Sequence, residues 1–410
     1  MIMIDHIGAR ARQTIASSPL ASSLHCRLQG GMKRLTSRLK RHLIHRAARE
    51  SKKLRDRSLR VVNARRSEAR QHFMAIRAAL PPARLDYDCR PGYCTIVPPS
   101  KFSLAENYDA TLAFILDMRS MFHARQVRSP NGKRLLSVFA DFASIHEIEP
   151  AAGLVLAAEV DRWRLATGKQ PISFDGDWQP GVQRFFSQAG LFELLGISQA
   201  APLENVAADR SVEVLQFVRG FSVYGEQGSR LRDRLEALCG KSIGPRLKVY
   251  EAIAEAIANT RHAYPSGVSI WPSKLSGRWW ASGAWNRSTN VVSIQLYDQG
   301  VGIPATLPRS EHWSDILRRV KLAKLLNPEG RDDQLLEAAL EIGRTSTGEH
   351  GRGKGLAEIA GWIDNRLSGF LRITSGRGSI TYRPGGAIAG GSRSASFPGT
   401  LVEWEVALDD

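Results

Sequence analysis

Residues 291–304 read VVSIQLYDQGVGIP. The β-prone run 291–297 contains no Gly or Pro and stops at Asp298-Gln299-Gly300-Val301-Gly302. That pattern predicts a strand followed by a tight turn. An Asp at a strand end can accept a hydrogen bond from an exocyclic amine such as that of adenine. Glycines at 300 and 302 let the backbone approach a ring closely and take positive φ. Alone, D-x-G-x-G is also an ordinary turn.

Upstream, residues 246–264 (RLKVYEAIAEAIANTRHAY) carry Val249, Ile253, Ala256, Ile257 and Ala258 at helical spacing. Glu255 and Asn259 are four apart and share a face of that predicted helix. A carboxylate there can orient or deprotonate an attacking water. An amide oxygen one turn later can ligate Mg²⁺, which takes hard oxygen ligands and keeps several waters. Glu251 is the rival carboxylate one turn earlier. His262 stands one turn beyond Asn259 and reaches a phosphate if the helix faces a nucleotide. The same E-x-x-x-N spacing is common on solvated faces. Trp279, Trp280 and Trp285 fall on a predicted hairpin before the strand and read as packing residues.

Downstream, Gly351-Arg352-Gly353-Lys354-Gly355-Leu356 opens a second predicted helix with Leu356, Ile359, Ala360 and Ile363 on its apolar face. A glycine-rich loop at a helix start aims N–H groups and the positive dipole end at phosphates. Arg352 and Lys354 can add charge-assisted contacts. The loop lacks the GxxxxGK[ST] of a Walker A motif. The preceding GRTSTGEH (343–350) reads as a loop, not as the strand before a Rossmann turn.

Each motif is weak by itself, but the three in this order form a specific combination. In it the chain resembles the GHKL superfamily: gyrase-type topoisomerases, a heat-shock chaperone, histidine kinases and mismatch-repair ATPases. The resemblance covers roughly residues 205–408. It implies a Bergerat-type α/β sandwich over residues 205–410 that binds ATP and Mg²⁺ between sheet and helices. It implies Glu255 as general base, Asn259 as Mg²⁺ ligand and Asp298 as acceptor of the adenine N6 amine. Gly300 and Gly302 become the adenine-side loop. Gly351, Gly353 and Gly355 cradle phosphates, joined by Arg352, Lys354 and Leu356. Thr400, after Gly399, backs Asp298. Residues 305–350 become the ATP lid, with a helix over Asp333–Ile342. Residues 384–398 (PGGAIAGGSRSASFP) read as a polar Gly-rich loop. The helices near residues 225–240 hold no His, which argues against an autophosphorylating sensor kinase. Three activities stay open: slow ATP hydrolysis driving a switch, serine/threonine kinase action of the anti-sigma-factor type on a partner, and ATP sensing without chemistry. Glu255 favours hydrolysis over sensing. The superfamily often dimerises, so a homodimer is open too.

Residues 85–198 alternate between strand and helix patterns, which predicts a small α/β domain. The predicted elements are strands 93–98 and 135–142, a helix over 106–122, a Pro-led helix over 150–166, a strand over 171–175 and a helix over 181–195. The strand ending at Asp141-Phe142, the loop 144–149, the next helix and the Phe192–Gly196 pattern resemble a STAS domain, the fold of anti-sigma-factor antagonists. Regulated members carry a phosphorylatable Ser at the start of that helix. Here the segment is Glu149-Pro150-Ala151-Ala152. The resemblance therefore implies a protein-interaction module without that switch.

The net charge of +17 is concentrated at one end. Residues 1–72 hold 18 of the 57 Lys and Arg but 4 of the 40 Asp and Glu, which leaves 39 against 36 for the rest. The arm 1–80 reads as helix-prone, with poor core-building capacity. Counterion release favours polyanions at such a segment. Residues 1–72 contain no Phe, Trp or Tyr for base stacking, so contact with nucleic acid would be nonspecific and through phosphates. A solvated helical face, a partner helix and a lipid surface remain alternatives. Residues 1–31 are Ser- and Arg-rich, as transit peptides are, and Met32 is an alternative start. The four cysteines read as free thiols, with no structural metal expected. No apolar run near 18 residues predicts a membrane span, and the expected location is cytoplasmic.

Overall fold

A computed structural model describes residues 84–86, 93–123, 137–168, 178–197, 211–221, 226–264, 276–324, 332–345, 355–364 and 366–408. They all fall in one compact unit, Arg65–Asp410. The arm 1–80 and the strand expected over 171–175 lie outside the described residues.

The middle region holds β1 (Arg84–Asp86), β2 (Tyr93–Val97), β3 (Lys101–Phe102), α1 (Tyr108–His123), β4 (Ser137–Ala140), β5 (Glu147–Ile148), α2 (Pro150–Thr167), α3 (Pro180–Ala189) and α4 (Leu191–Leu195). β2 pairs with β4 in parallel and with β1 antiparallel, and β3 pairs with β5 in parallel. The helix expected over 181–195 is two helices. Gly190 sits at φ 81° between them, a left-handed turn that glycine adopts without a Cβ penalty.

The C-terminal half continues with β6 (Val212–Val214), β7 (Val218–Phe221), α5 (Glu226–Cys239), α6 (Arg246–Asn259), β8 (Arg278–Asn286) and β9 (Val291–Asp298). Then come α7 (Ile303–Thr306), α8 (Trp313–Lys324), α9 (Asp332–Thr345), α10 (Gly355–Ala360), β10 (Phe370–Tyr382) and β11 (Ile388–Ala407). The strands form an antiparallel sheet in the order β10-β11-β9-β8-β6, with β7 on the other half of the β8 edge. The chain is thus a mixed α/β protein. Among the described residues no helix is long and apolar enough to cross a membrane.

Side chains alternate across a strand, and here both faces are buried. Trp279, Val292, Ile294, Leu296, Val402 and Trp404 meet α5, α6, α9 and α10 on one face. Trp280, Tyr297, Phe397 and Leu401 meet α1, α2 and α3 on the other. The stretches 85–198 and 205–410 therefore share one continuous core. Trp279 and Trp280 are packing residues, as their sequence reading holds, one on each face.

One further expectation needs correction. The supposed loop 384–398 turns at Pro384–Gly386 and enters β11 at Ile388. Pairing with β10 from Gly378↔Ser392 to Tyr382↔Ile388 supplies a hydrogen-bond ladder that Gly and Ser favour weakly by themselves. The helix expected over Asp333–Ile342 is present as α9, and it packs in the helix layer. Its Leu336 and Leu340 enter the sheet core, while Leu335, Ala338 and Ile342 share a cluster with Ile316 and Val320 of α8.

Candidate functional site

The site is organised along α6. Its buried stripe of Val249, Ala252, Ile253, Ala256 and Ile257 fixes the helix on the sheet. Glu255 and Asn259 are half-buried beside that stripe. The first residue of α10 lies directly on them. A Cβ on Gly355 would overlap the Glu255 carboxylate and stand 3.1 Å from Asn259 Nδ2. A larger residue at 355 would have to displace these side-chain ends, and the first and third motifs meet at this point. Burial pushes the Glu255 carboxyl up to about 7, with the negative charge of Glu358 on α10 adding to the effect. Leu356 is half-buried and packs against both the sheet core and the α8–α9 cluster.

The second motif packs on the turn that follows α6. A Cβ on Gly300 would overlap the Ala263 carbonyl, and Val301 N–H donates to Ala263 O at 2.8 Å. Asn259 and Ala263 are four residues apart, so the three motifs lie in sequence along one helix and its trailing turn. Asp298 is 4% exposed. Its Oδ1 accepts from Gly300 N–H at 2.8 Å, and its Oδ2 accepts no hydrogen bond from the described residues. Burial pushes the Asp298 carboxyl up to about 7, against the opposing pull of Gly300 N–H and the Arg162 charge.

Thr400 stands opposite Asp298 in the β9–β11 register. Gly399 precedes it at φ 122°, where a Cβ would overlap the Asp298 carbonyl. Thr400 Oγ1 lies 3.0 Å from Ser375 Oγ. Ser375 accepts from Ile303 N–H at 2.8 Å and donates toward Gly399 O at 3.0 Å. Gly302 sits at φ 86° within 2.9 Å of Ser375 Oγ, measured from where its Cβ would be. The Asp298–Gly302 loop is thus held by α6's trailing turn, by β10 and by β11.

Not every candidate joins this arrangement. The α-helix stops at Asn259 and winds on as a tighter turn in which His262 N–H donates to Asn259 O at 3.0 Å, with the His262 side chain exposed. Thr260 Oγ1 donates to Ile257 O at 2.7 Å at the helix end. Gly351, Arg352, Gly353 and Lys354 lie outside the described residues.

Three residues of the site had no reading in the sequence. Ser375 sits in a strand whose alternation gives no chemical signal. Gln299 and Tyr264 tie the loop to its surroundings: Gln299 N–H donates to Tyr264 Oη at 3.1 Å, and its side-chain amide donates to Glu159 on α2. Charged residues inside the apolar run 150–166 were the available signal for that last contact.

A cleft of about 600 Å³ lies elsewhere, lined by Asp161, Arg164, Glu193, Gln216 and Arg219. No family model matches the chain, and no curated protein matches it.

Proposed function

We propose that residues 205–410 are a GHKL-type domain that binds Mg-ATP, and that the protein is a regulator in which slow ATP hydrolysis drives a conformational switch. One observation carries the reading: Gly355 touches Glu255 and Asn259 on the helix whose trailing turn holds the Asp298 loop. Three motifs distant in sequence then have the order of a nucleotide, with the adenine end at Asp298 and the phosphate end at Gly355.

In this reading the open Oδ2 of Asp298 accepts the adenine N6 amine. Gly300 and Gly302 keep that loop free of side chains, and Thr400 backs it through Ser375. The α10 start, with Gly351, Arg352, Gly353 and Lys354 before it, receives the phosphates. Asn259 offers an amide oxygen to Mg²⁺, which needs few protein ligands because waters and phosphates complete its shell. Bound Mg²⁺ neutralises phosphate charge. Glu255, with its carboxyl near neutrality, is suited to take a proton from an attacking water at working pH. The middle region is read as a STAS-like interaction module. At its helix start the Glu149 carboxylate accepts from Ser103 Oγ at 2.8 Å, Leu104 N–H at 2.6 Å and Ala105 N–H at 3.1 Å. A fixed carboxylate thus stands where regulated relatives place a phosphorylatable Ser. The basic arm is proposed to contact polyanions, nucleic acid among them.

The test is calorimetric titration of Mg-ATP into wild type and Asp298→Asn, with phosphate release followed on wild type and Glu255→Ala. The reading expects saturable binding lost in Asp298→Asn, and phosphate release lost in Glu255→Ala with binding kept. Label from γ-labelled ATP appearing on a protein in place of free phosphate would make it a kinase. Absence of wild-type binding at millimolar ATP would remove the proposal.

A further inference from the structure

α2 carries three charged residues where a helix of this kind has none to spare for water: Glu159, Asp161 and Arg162 are 3%, 1% and 0% exposed. Buried charges are costly unless each is paired. Glu159 is held by Arg119 of α1, whose Nε donates to Oε2 at 2.8 Å and whose second nitrogen reaches Oε1. Asp161 accepts from Trp280 Nε1 at 3.0 Å and pairs with Arg219. Arg162 lies over the Trp280 ring at 5.2 Å and faces Tyr264. A purely packing helix would meet the sheet with apolar side chains, as α6 does on the opposite face.

The buried polar set leads to one place. Gln299 is 1% exposed and stands between Asp298 and Gly300. Strand alternation turns it toward the middle region, on the side of Tyr297, while Asp298 turns toward the helix layer. Its side chain donates to Glu159, and its backbone N–H donates to Tyr264 Oη. Tyr264 in turn donates to Arg278 O at 2.9 Å. The middle residue of a D-x-G turn needs no particular side chain to make the turn.

We infer that Glu159, acting through Gln299, is a positioning residue for the Asp298–Gly302 loop, so that α2 of the middle region sets the affinity of the adenine end of the site. The inference rests on the nucleotide-binding reading above for its consequence, and on geometry alone for the latch. It also makes the middle region an input. Whatever displaces α2 releases Gln299 and slackens the loop, and by linkage nucleotide binding resists that displacement.

The experiment uses the full chain with Gln299→Met, which keeps length, removes the donor and leaves the Arg119–Glu159 pair intact. Arg219→Ala is the comparator, since it breaks a different ion pair of the same helix, that with Asp161. Hydrogen exchange without nucleotide reads the loop amides, four of which are bonded here: Gln299, Gly300, Val301 and Ile303. Gln299→Met is expected to speed their exchange at least about tenfold, with α6 amides unchanged, as loss of a charge-assisted bond predicts. It is expected to weaken Mg-ATP and Mg-ADP by the same factor, roughly tenfold, because the adenine end is what moves. Unchanged loop exchange overturns the inference. So does equal acceleration in Arg219→Ala, which would mean general loosening of α2. If wild type binds no Mg-ATP, the nucleotide reading fails by itself, and the exchange arm still decides the latch.

Discussion

Asp298 is the residue at which stability and function pull apart. Its carboxyl is pushed up to about 7 by burial, well above the ordinary carboxylate range. The folded state therefore holds a proton that the unfolded chain releases between about pH 4 and 7. Folding stability from this group falls as pH rises through that window and is level above it. Glu255, pushed up to about 7 as well, acts in the same direction more weakly because it is half-buried. Asparagine at 298 keeps an acceptor for Gly300 N–H and removes the buried charge. Asp298→Asn is expected to raise the Tm of the free protein at about pH 8, and the gain should shrink toward about pH 5. Binding runs the other way. The carboxylate is the stronger acceptor for the N6 amine, so affinity for ATP should weaken as pH falls below neutrality, while Asp298→Asn stays without saturable binding across the range. Thermal unfolding and titration calorimetry across pH check both halves. A Tm gain that does not vary with pH would mean that Asp298 is not the titrating group.

At the scale of elements, α6 could be read from sequence because Val249, Ile253, Ala256 and Ile257 belong both to its apolar spacing and to its buried stripe. The strand 291–298 was legible for the same reason, and Asp298 marked its end. What stayed hidden depended on pairing. Residues 388–397 look like a loop by composition and become strand because β10 offers the ladder and Ile380 and Tyr382 offer the core. The turn after Asn259 was not legible either: Ala258 extended the apolar period, but the backbone tightens to i→i−3 bonds from Thr260 on. Ser375 hid because a serine inside a strand has no pattern of its own, yet it joins β10, β11 and the Asp298 loop. Ser375→Ala leaves Ile303 N–H and Thr400 Oγ1 short of a partner. That is expected to cost about 1–3 kcal/mol and lower Tm by several degrees. Nucleotide affinity should fall with it, because the loop loses its β10 anchor. A Tm loss with unchanged affinity would restrict Ser375 to the fold.

At the scale of the molecule, the central strands β8 and β9 and the second half of β11 are covered on both faces. Helices of the C-terminal half cover Trp279 and Trp404, and the middle region covers Trp280, Tyr297, Phe397 and Leu401. Separating the two regions would expose that second set and strand the Asp161 and Glu159 pairs, whose partners Arg219, Trp280 and Gln299 lie across the boundary. The two stretches read from sequence as consecutive domains are therefore expected to unfold together. Scanning calorimetry of the full chain should give one transition for this unit, coincident by tryptophan fluorescence and far-ultraviolet circular dichroism. Mg-ATP at about a hundred times its Kd adds ~2.7 kcal/mol to the folded state, so the whole transition should move up by several degrees. Independent domains would behave differently: two transitions would appear, and nucleotide would move one and leave the other in place. That second outcome would also cut the link from α2 to the Asp298 loop, because a latch between regions that melt apart cannot set the geometry of a site.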